Sequence, residues 1–388
     1  MQTQKSFFNT VALAPPDPIF GLVSAFQCDP RKEKVDLMVG IYRDEEGRTP
    51  IFSSVKKAEQ RLLEREVTKM YLPIDGDPFY LEKMQQLVLG EAYVDRICAT
   101  QTVGGTSALR VGAEFIKGQL TDEIHIPQLT WPNHKGVFLQ SGMRLIEYPY
   151  YNHKTHTVEF DQLYSFLKGL REKSVVLFHA ACHNPTGADL KIDQWELLAD
   201  LFLKKRLIPF FDSAYQGLGE GLDADAGAIR LFFKRGIEML VAVSFSKNFG
   251  LYGERIGGLM IASCTSSNLP AIRSQICRLI RTNYSNPPQH GARIVAEILS
   301  SDLRQEWEKE VEVMRMRMCQ TRILFARKVN MAFLAEGKGI FCYLGLSPEK
   351  IESWVKNNAV YLAHGGRMNI AGLNEKNIDL VVKAFQSQ

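Results

Sequence analysis

Through the middle of the chain, short runs of consecutive apolar residues alternate with stretches whose apolar positions recur every three or four residues. SVVLFHA at 174–180, LIPFFDSAY at 207–215 and MLVAVSFS at 239–246 are of the first kind. Runs this short and this apolar predict strands buried on both faces, because a strand with one wet face would alternate apolar with polar. Between the first two lies IDQWELLADLFLKKR, whose spacing predicts a helix with one apolar face. A further helix is expected before the third run. Strands separated by helices predict an α/β fold, a parallel sheet with helices on both sides.

The segment around 301–334, rich in charge and apolar at three- and four-residue intervals, predicts a long connecting helix rather than another unit of the sheet. At 388 residues the chain exceeds what one hydrophobic core organises, so two domains are expected. The pattern places a large domain at 49–312 and builds a smaller one from both chain ends, 1–48 and 313–388. No internal repeat or low-complexity tract interrupts this order.

Composition narrows the class without naming a chemistry. Hydrophobic residues make up 45% and charged residues 23%, as in ordinary globular proteins. The net charge of +4 comes from scattered Lys and Arg, so nucleic acid is not expected as a partner. Seven cysteines lie far apart with no CxxC pair, which predicts reduced thiols and neither a disulfide framework nor a zinc site. The first residues lack the continuous apolar core of a secretion signal, and no run approaches the ~20 apolar residues that cross a bilayer. A cytoplasmic protein without a membrane partner is expected.

The chemistry concentrates where the apolar runs end. Lys247 follows the third run, at the strand edge where open α/β sheets hold ligands, and a lysine desolvated there becomes a nucleophile. Ser244 and Arg255 flank it and suit an anion. In QTVGGTSALR, Gly105 and Thr106 open a helical stretch whose free N–H groups either receive a phosphate or simply follow a tight turn. Asp212 ends the second run, where a buried carboxylate needs a cationic partner such as a protonated pyridine nitrogen, unless it caps the next helix. Tyr215 and Asn184 are placed to donate to a phenolate oxygen, and the Asn184–Pro185 bond is a candidate for cis geometry. His179 and His183, four apart with no Cys or Glu partner, read as hydrogen-bonded structural residues, and no metal is expected.

Taken in order, NPTG, DSAYQG, SFSKNFGLYGER, YSNPP and GRMNIAGL resemble the aspartate aminotransferase family of fold-type-I pyridoxal-phosphate enzymes. The likeness runs from PPDPIFGL (15–22) to GLNEKNID (372–379). It implies a large domain with a mostly parallel seven-stranded sheet, and a homodimer with active sites shared across the interface. The resemblance makes Lys247 the Schiff-base lysine, with Asp212, Tyr215 and Tyr71 completing the catalytic set. It gives Asn184 and Tyr215 to the cofactor's phenolate oxygen, Trp131 to its ring face, and His134 to a place behind Asp212. Gly105, Thr106, Ser244 and Arg255 match the phosphate cup, and Tyr71 matches a tyrosine that reaches the neighbouring subunit's phosphate. Arg367 matches the grip on the substrate's α-carboxylate and Arg281 the group that crosses the dimer to a side-chain carboxylate. Gly40, Trp131 and Asn184 complete the substrate surroundings.

The implied activity is ping-pong transfer of an amino group from L-aspartate to 2-oxoglutarate, with Lys247 removing and returning the α-proton. Small-molecule amino acids and 2-oxo acids are therefore the expected partners. Several departures point to an aromatic-amino-acid or dual-specificity alternative. Met70 is apolar where aspartate-specific members often carry a polar residue, and DLKIDQW and LYGERIGG resemble the aromatic branch, whereas Thr106 and Asn286 resemble the aspartate branch. Gly104 stands where many members have Ser, and the stretch AEGKGIF (335–341) is shorter than usual on what the family makes the substrate side. Decarboxylation or β-elimination on the same cofactor fits the paired arginines less well, and a cofactor-free binding protein would have no use for Lys247, Asp212, Tyr215 and Arg255 together.

Overall fold

A computed structural model describes residues 6–14, 18–90 and 95–387; Pro15, Pro16 and Asp17, which begin the PPDPIFGL likeness, lie outside the described residues. In chain order the strands are β1 (Val35–Asp36), β2 (Ile97–Val103), β3 (Glu123–Pro127), β4 (Arg144–Tyr148), β5 (Val175–His179), β6 (Ile208–Ser213), β7 (Met239–Ser244), β8 (Ile256–Ala262), β9 (Phe341–Tyr343), β10 (Val360–Tyr361) and β11 (Arg367–Asn369). The three apolar runs are β5, β6 and β7, and helix Ile192–Lys205 joins the first two as the spacing predicts.

Seven strands form one sheet in the order β2-β8-β7-β6-β5-β3-β4. Pairings among β3 to β7 are parallel, and β8 runs antiparallel to both β2 and β7. The exception has a local cause. A parallel return needs a crossover of about a dozen residues or more, usually helical, whereas residues 245–255 between β7 and β8 hold no helix. That short irregular connection carries Lys247.

Both faces of the sheet are apolar, and successive residues serve opposite cores. Val176, Phe178, Phe211 and Val241 enter one buried cluster; Val175, Leu177, Phe210 and Leu240 enter the other. Phe178, Trp195, Phe211 and Phe232 meet edge to face or tilted at 5.3–6.2 Å, so helix Ile192–Lys205 is fixed on the sheet by aromatic packing. A third cluster draws Val35 and Leu37 from one chain end and Phe325, Trp354, Met368 and Phe385 from the other. There β1 pairs with β10, and β9 with β11.

The expected connecting helix is Leu303–Val329, but it stops short of 334, and a separate turn of helix covers Phe333–Glu336. Asn330 takes a left-handed conformation (φ 54°) and its N–H closes the last turn, a stop that the apolar spacing does not reveal. Trp307 on this helix stacks on Phe249 at 4.3 Å and donates its indole N–H to the Asn248 carbonyl at 2.8 Å. Two neighbours of Lys247 are thereby pinned to the long helix.

The turn after β5 contains a cis Asn184–Pro185 bond. Its shape is set by Asp189, whose carboxylate accepts the Cys182 and His183 N–H groups at 2.7 and 2.8 Å. The stretch 335–341 packs along this turn: Lys338 donates its N–H to the Gly187 carbonyl, and buried Arg322 donates to the carbonyls of Gly339 and Phe341, each at 2.8 Å. Burial pushes the Asp189 carboxyl up to about 6, against the pull of its two N–H donors and of Lys338. A carboxyl raised on folding contributes stability that is complete below about 3.8 and is lost as pH rises through about 6. Asp189→Asn removes this dependence. Urea midpoints are therefore expected to shift in favour of the variant between pH 4 and pH 7, and parallel curves would contradict the assignment.

Candidate active site

Strands β5, β6 and β7 end at one edge of the sheet, and their last residues open into a cavity of about 490 Å³. Asp212 and Ser244 come from β6 and β7, and Lys247 from the connection beyond. Tyr215 and Asn184 line the same wall; Trp131, at the start of helix Pro132–Gln140, lines another. Gly105, Thr106 and Arg255 lie at one end, and Gly40 and Arg367 are also part of the lining. Eleven of the thirteen residues expected to serve catalysis, cofactor or substrate thus meet in one place.

Tyr71 and Arg281 do not. Tyr71 is 91% exposed beside a separate cleft, with Met70 and Asn286 next to it. Arg281, in the last turn of helix Leu269–Asn283, donates to the Ser285 hydroxyl; Ser285 in turn donates to Asn286, and Asn286 to the Leu72 carbonyl. A continuous hydrogen-bonded path therefore ties both outlying residues to one surface patch.

Inside the cavity, Asp212 is the electrostatic anchor. Burial favours its neutral form, but the hydrogen bond from His134 Nε2 (3.0 Å) and the nearby Lys247 hold the carboxyl below its ordinary value. Asp212 does not cap a helix. Behind it, His134 Nδ1 is engaged by the Thr130 hydroxyl at 2.8 Å. His179 and His183 continue the row of rings, tilted at 5.1 Å from His134 to His179 and edge to face at 4.5 Å from there to His183. Burial pushes His179 down to about 3, and neither of its ring nitrogens has a hydrogen-bond partner among the described residues. His183 stacks on Tyr150 at 4.1 Å and meets the Thr186 hydroxyl, as a structural histidine does. His134, His179 and Asp212 bring donor atoms within 4.8 Å of one another, yet both His134 nitrogens are already engaged, so a cation would have to displace one.

Lys247 is half-buried, its Nζ 5.3 Å from the Tyr215 ring centroid. Burial lowers its ammonium pKa, Asp212 opposes the shift and Arg255 adds to it. The amine is thus more available as a base than a surface lysine. Asn184 donates weakly to the Tyr215 hydroxyl (3.5 Å), and burial keeps that phenol protonated well above neutrality.

The end of the cavity at Gly105 and Thr106 is built on the first turn of helix Gly104–Gln119, whose N-cap, Val103, offers no side-chain acceptor. Its first N–H groups are therefore left for another acceptor. Arg255 crosses this turn: Gly104 has φ +74°, and a Cβ there would lie 2.6 Å from Arg255 Nη2. The glycine lets the guanidinium close over the helix start. Arg255 also donates to the Ser246 hydroxyl (3.4 Å) and the Tyr252 carbonyl (3.1 Å).

Elsewhere in the lining, Arg367 is 4% exposed, donates to the Met38 carbonyl at 2.9 Å and lies 4.3 Å over the Phe341 ring. Its Nε is buried without a partner among the described residues, an unsatisfied donor of the kind a carboxylate would complete.

Sequence reasoning did not single out Ser246, Tyr252, Phe341 or the lining role of His179. For Ser246 a signal exists, since it stands two residues past Ser244 and directly before Lys247. For Tyr252 and Phe341 there is none, because their place depends on partners far away in sequence.

Comparison with known proteins gives a consistent result. The family described as aminotransferase class I and II matches residues 32–385. The aspartate aminotransferase of Escherichia coli (strain K12) is 42% identical, over 97% of this chain and 99% of its own. The aromatic-amino-acid aminotransferase of Pseudomonas aeruginosa is also 42% identical, over 98% of each chain. Among solved structures, the aromatic-amino-acid aminotransferase from Burkholderia pseudomallei, covalently bound to pyridoxal phosphate, matches with a TM-score of 0.95 at 39% identity over 99% of both chains.

The cradle at Gly104 can be tested directly. Gly104→Ala places a Cβ in a left-handed conformation that costs about 1–2 kcal/mol and pushes Arg255 off the helix start. Urea unfolding is expected to show that loss, and titration with inorganic phosphate a several-fold weaker affinity. Unchanged stability and unchanged phosphate binding would refute the role given to this glycine.

Proposed function

This chain belongs to the class I and II aminotransferase family, and from that premise we propose that it transfers the amino group of L-aspartate to 2-oxoglutarate, giving oxaloacetate and L-glutamate. The enzyme is a pyridoxal-phosphate-dependent aminotransferase of the aspartate/aromatic subfamily, acting on amino acids and 2-oxo acids. Support for the dicarboxylate comes from one observation. The cavity holds a buried arginine with an unused Nε, and a second arginine, Arg281, shares an exposed patch with Tyr71.

That patch is also the argument for a homodimer with shared sites. Tyr71 and Arg281 lie outside the cavity that gathers the other site residues, and Met70 and Val67, close to Tyr71 in sequence, are 77% and 95% exposed. Closing the patch on a second copy buries these apolar side chains and brings a phenol and a guanidinium to the partner's cavity. The second and third cores, drawn wholly from 108–280 and from 35–37 with 325–385, support the division into 49–312 and 1–48 with 313–388, while the first joins the two parts through Tyr42, Met314, Met318 and Phe341. Among the described residues no helix is long and apolar enough to cross a membrane, and the seven free cysteines support a cytoplasmic setting.

The residues of the cavity suit the cofactor. Gly105, Thr106, Ser244 and Arg255 would hold its phosphate, Trp131 its ring face, Asn184 and Tyr215 its phenolate oxygen, and Asp212 its ring nitrogen, while Lys247 would carry it covalently. When bound, pyridoxal phosphate supplies an electron sink for the charge left on the substrate's α-carbon. Arg367 binds the substrate α-carboxylate and, with Gly40, orients the α-hydrogen toward Lys247. Lys247 Nζ then removes that proton as a general base and returns it as a general acid, a role suited to an amine whose pKa burial has lowered. Asp212, kept ionised by His134, holds a proton on the ring nitrogen throughout.

Met70 favours a second reading, in which the pocket also accepts aromatic side chains. It is an exposed apolar residue adjoining Tyr71, and the relatives at 42% identity include enzymes of both names. Efficiency on aspartate, tyrosine and phenylalanine, with 2-oxoglutarate as acceptor, distinguishes the two. Aspartate is expected to be preferred, and Arg281→Leu to cut its kcat/KM by about 10²-fold or more while sparing phenylalanine, as loss of a charge-assisted pair implies. A wild type faster on phenylalanine would overturn the aspartate reading. Lys247→Ala is expected to abolish turnover, and near-normal turnover would sink the mechanism.

A further inference from the structure

Residues Val39–Tyr42 have no regular secondary structure, yet they are held from two sides. From β11, the Asn369 amide donates to the carbonyls of Val39 and Ile41, both at 2.7 Å, and Arg367 donates to that of Met38. Asn369 is 1% exposed, so these bonds are shielded from water. From the opposite side, the Tyr42 N–H donates to the Tyr252 hydroxyl at 2.9 Å. Between the two clamps, Gly40 lies so close to Phe341 that a Cβ there would be 2.6 Å from the ring's Cζ. The segment therefore touches both the cover of the cavity and the buried arginine.

Tyr252 also faces the cofactor end. Its own carbonyl accepts from Arg255, and it lines the cavity between Arg255 and the Gly40 segment. Burial pushes its phenol up to about 12, so the oxygen stays a neutral hydroxyl. A phenylalanine would fill the same half-buried space. What the hydroxyl alone adds is an acceptor for a backbone N–H 210 residues away.

We infer that Tyr252 is a positioning residue for transamination: its hydroxyl registers the Val39–Tyr42 segment, and with it Gly40 and Arg367, against the loop that carries Lys247. The inference rests on the reading that Gly40 and Arg367 flank the substrate. It assigns to Tyr252 a share in substrate affinity rather than in proton transfer, because its hydroxyl bonds to main chain.

The test is Tyr252→Phe in the holoenzyme, with its melting temperature measured alongside. Hydrogen exchange of the peptide spanning 38–44 is expected to accelerate at the Tyr42 amide. KM for both the amino acid and the oxo acid is expected to rise about three- to tenfold, the range for one neutral hydrogen bond, with kcat changed less than twofold. Cofactor affinity should hold, since Arg255 is gripped through the Tyr252 carbonyl, which the substitution keeps. Unchanged exchange, or faster exchange with unchanged KM, overturns the inference. So does a loss of cofactor affinity matching the rise in KM, which would give the hydroxyl to the cofactor instead. Arg367→Lys serves as the separate check: if it leaves KM unaltered, the placement of the substrate fails, whatever the exchange data on Tyr252→Phe show.

Discussion

A carboxylate kept ionised inside the protein is the constraint on which the rest of this structure depends. Asp212 sits near the end of a strand with apolar cores on both faces, where an unpaired charge costs several kcal/mol. Its charge is tolerated because His134 donates to it and Thr130 fixes His134 in turn. The next histidine cannot help further, since burial leaves His179 neutral. A full positive counter-charge must therefore come from the cavity side, where Lys247 stands and where, on the proposed function, a protonated cofactor ring would lie. Strand order, the short connection 245–255 and the pinning of Asn248 and Phe249 by Trp307 all bring the lysine to face this carboxylate.

Much of this frame is legible in the chain because local pattern decides it. The buried strands β5 to β7 are uninterrupted apolar runs, and Asp212, Ser244 and Lys247 stand where those runs stop, so both element and chemistry are visible. The antiparallel return of β8 and the helix stop at Asn330 are not visible in that way. The first follows from what the connection lacks, and the second from a backbone conformation that Asn adopts only in context. Tyr252 and Phe341 are hidden for a stronger reason. Each acts through a partner more than 200 residues away, Tyr42 for one and Gly40 for the other, and no periodicity reports such a pair.

The specificity question divides the same way. The groups that would bind an α-carboxylate are inside the cavity of a single chain. Those that would read the side chain lie on an outer patch held together by Arg281, Ser285, Asn286 and the Leu72 carbonyl. Near-equal likeness to enzymes of aspartate and aromatic name is what such a division produces, since the shared interior dominates the comparison. The short stretch 335–341 bears on the same question through Phe341. Packed on the turn around Gly187, it leaves that ring over Arg367 and against Gly40, in the lining of the cavity.

The central claim is that Lys247, facing Asp212, is the lysine that carries the cofactor. Reduction of the holoenzyme with borohydride, followed by proteolysis and mass spectrometry, fixes the cofactor to whichever lysine holds it. The account requires the pyridoxyl group on the peptide containing Ser246, Lys247 and Asn248, and none elsewhere in stoichiometric amount. A stoichiometric adduct on any other lysine, with Lys247 unmodified, would contradict it.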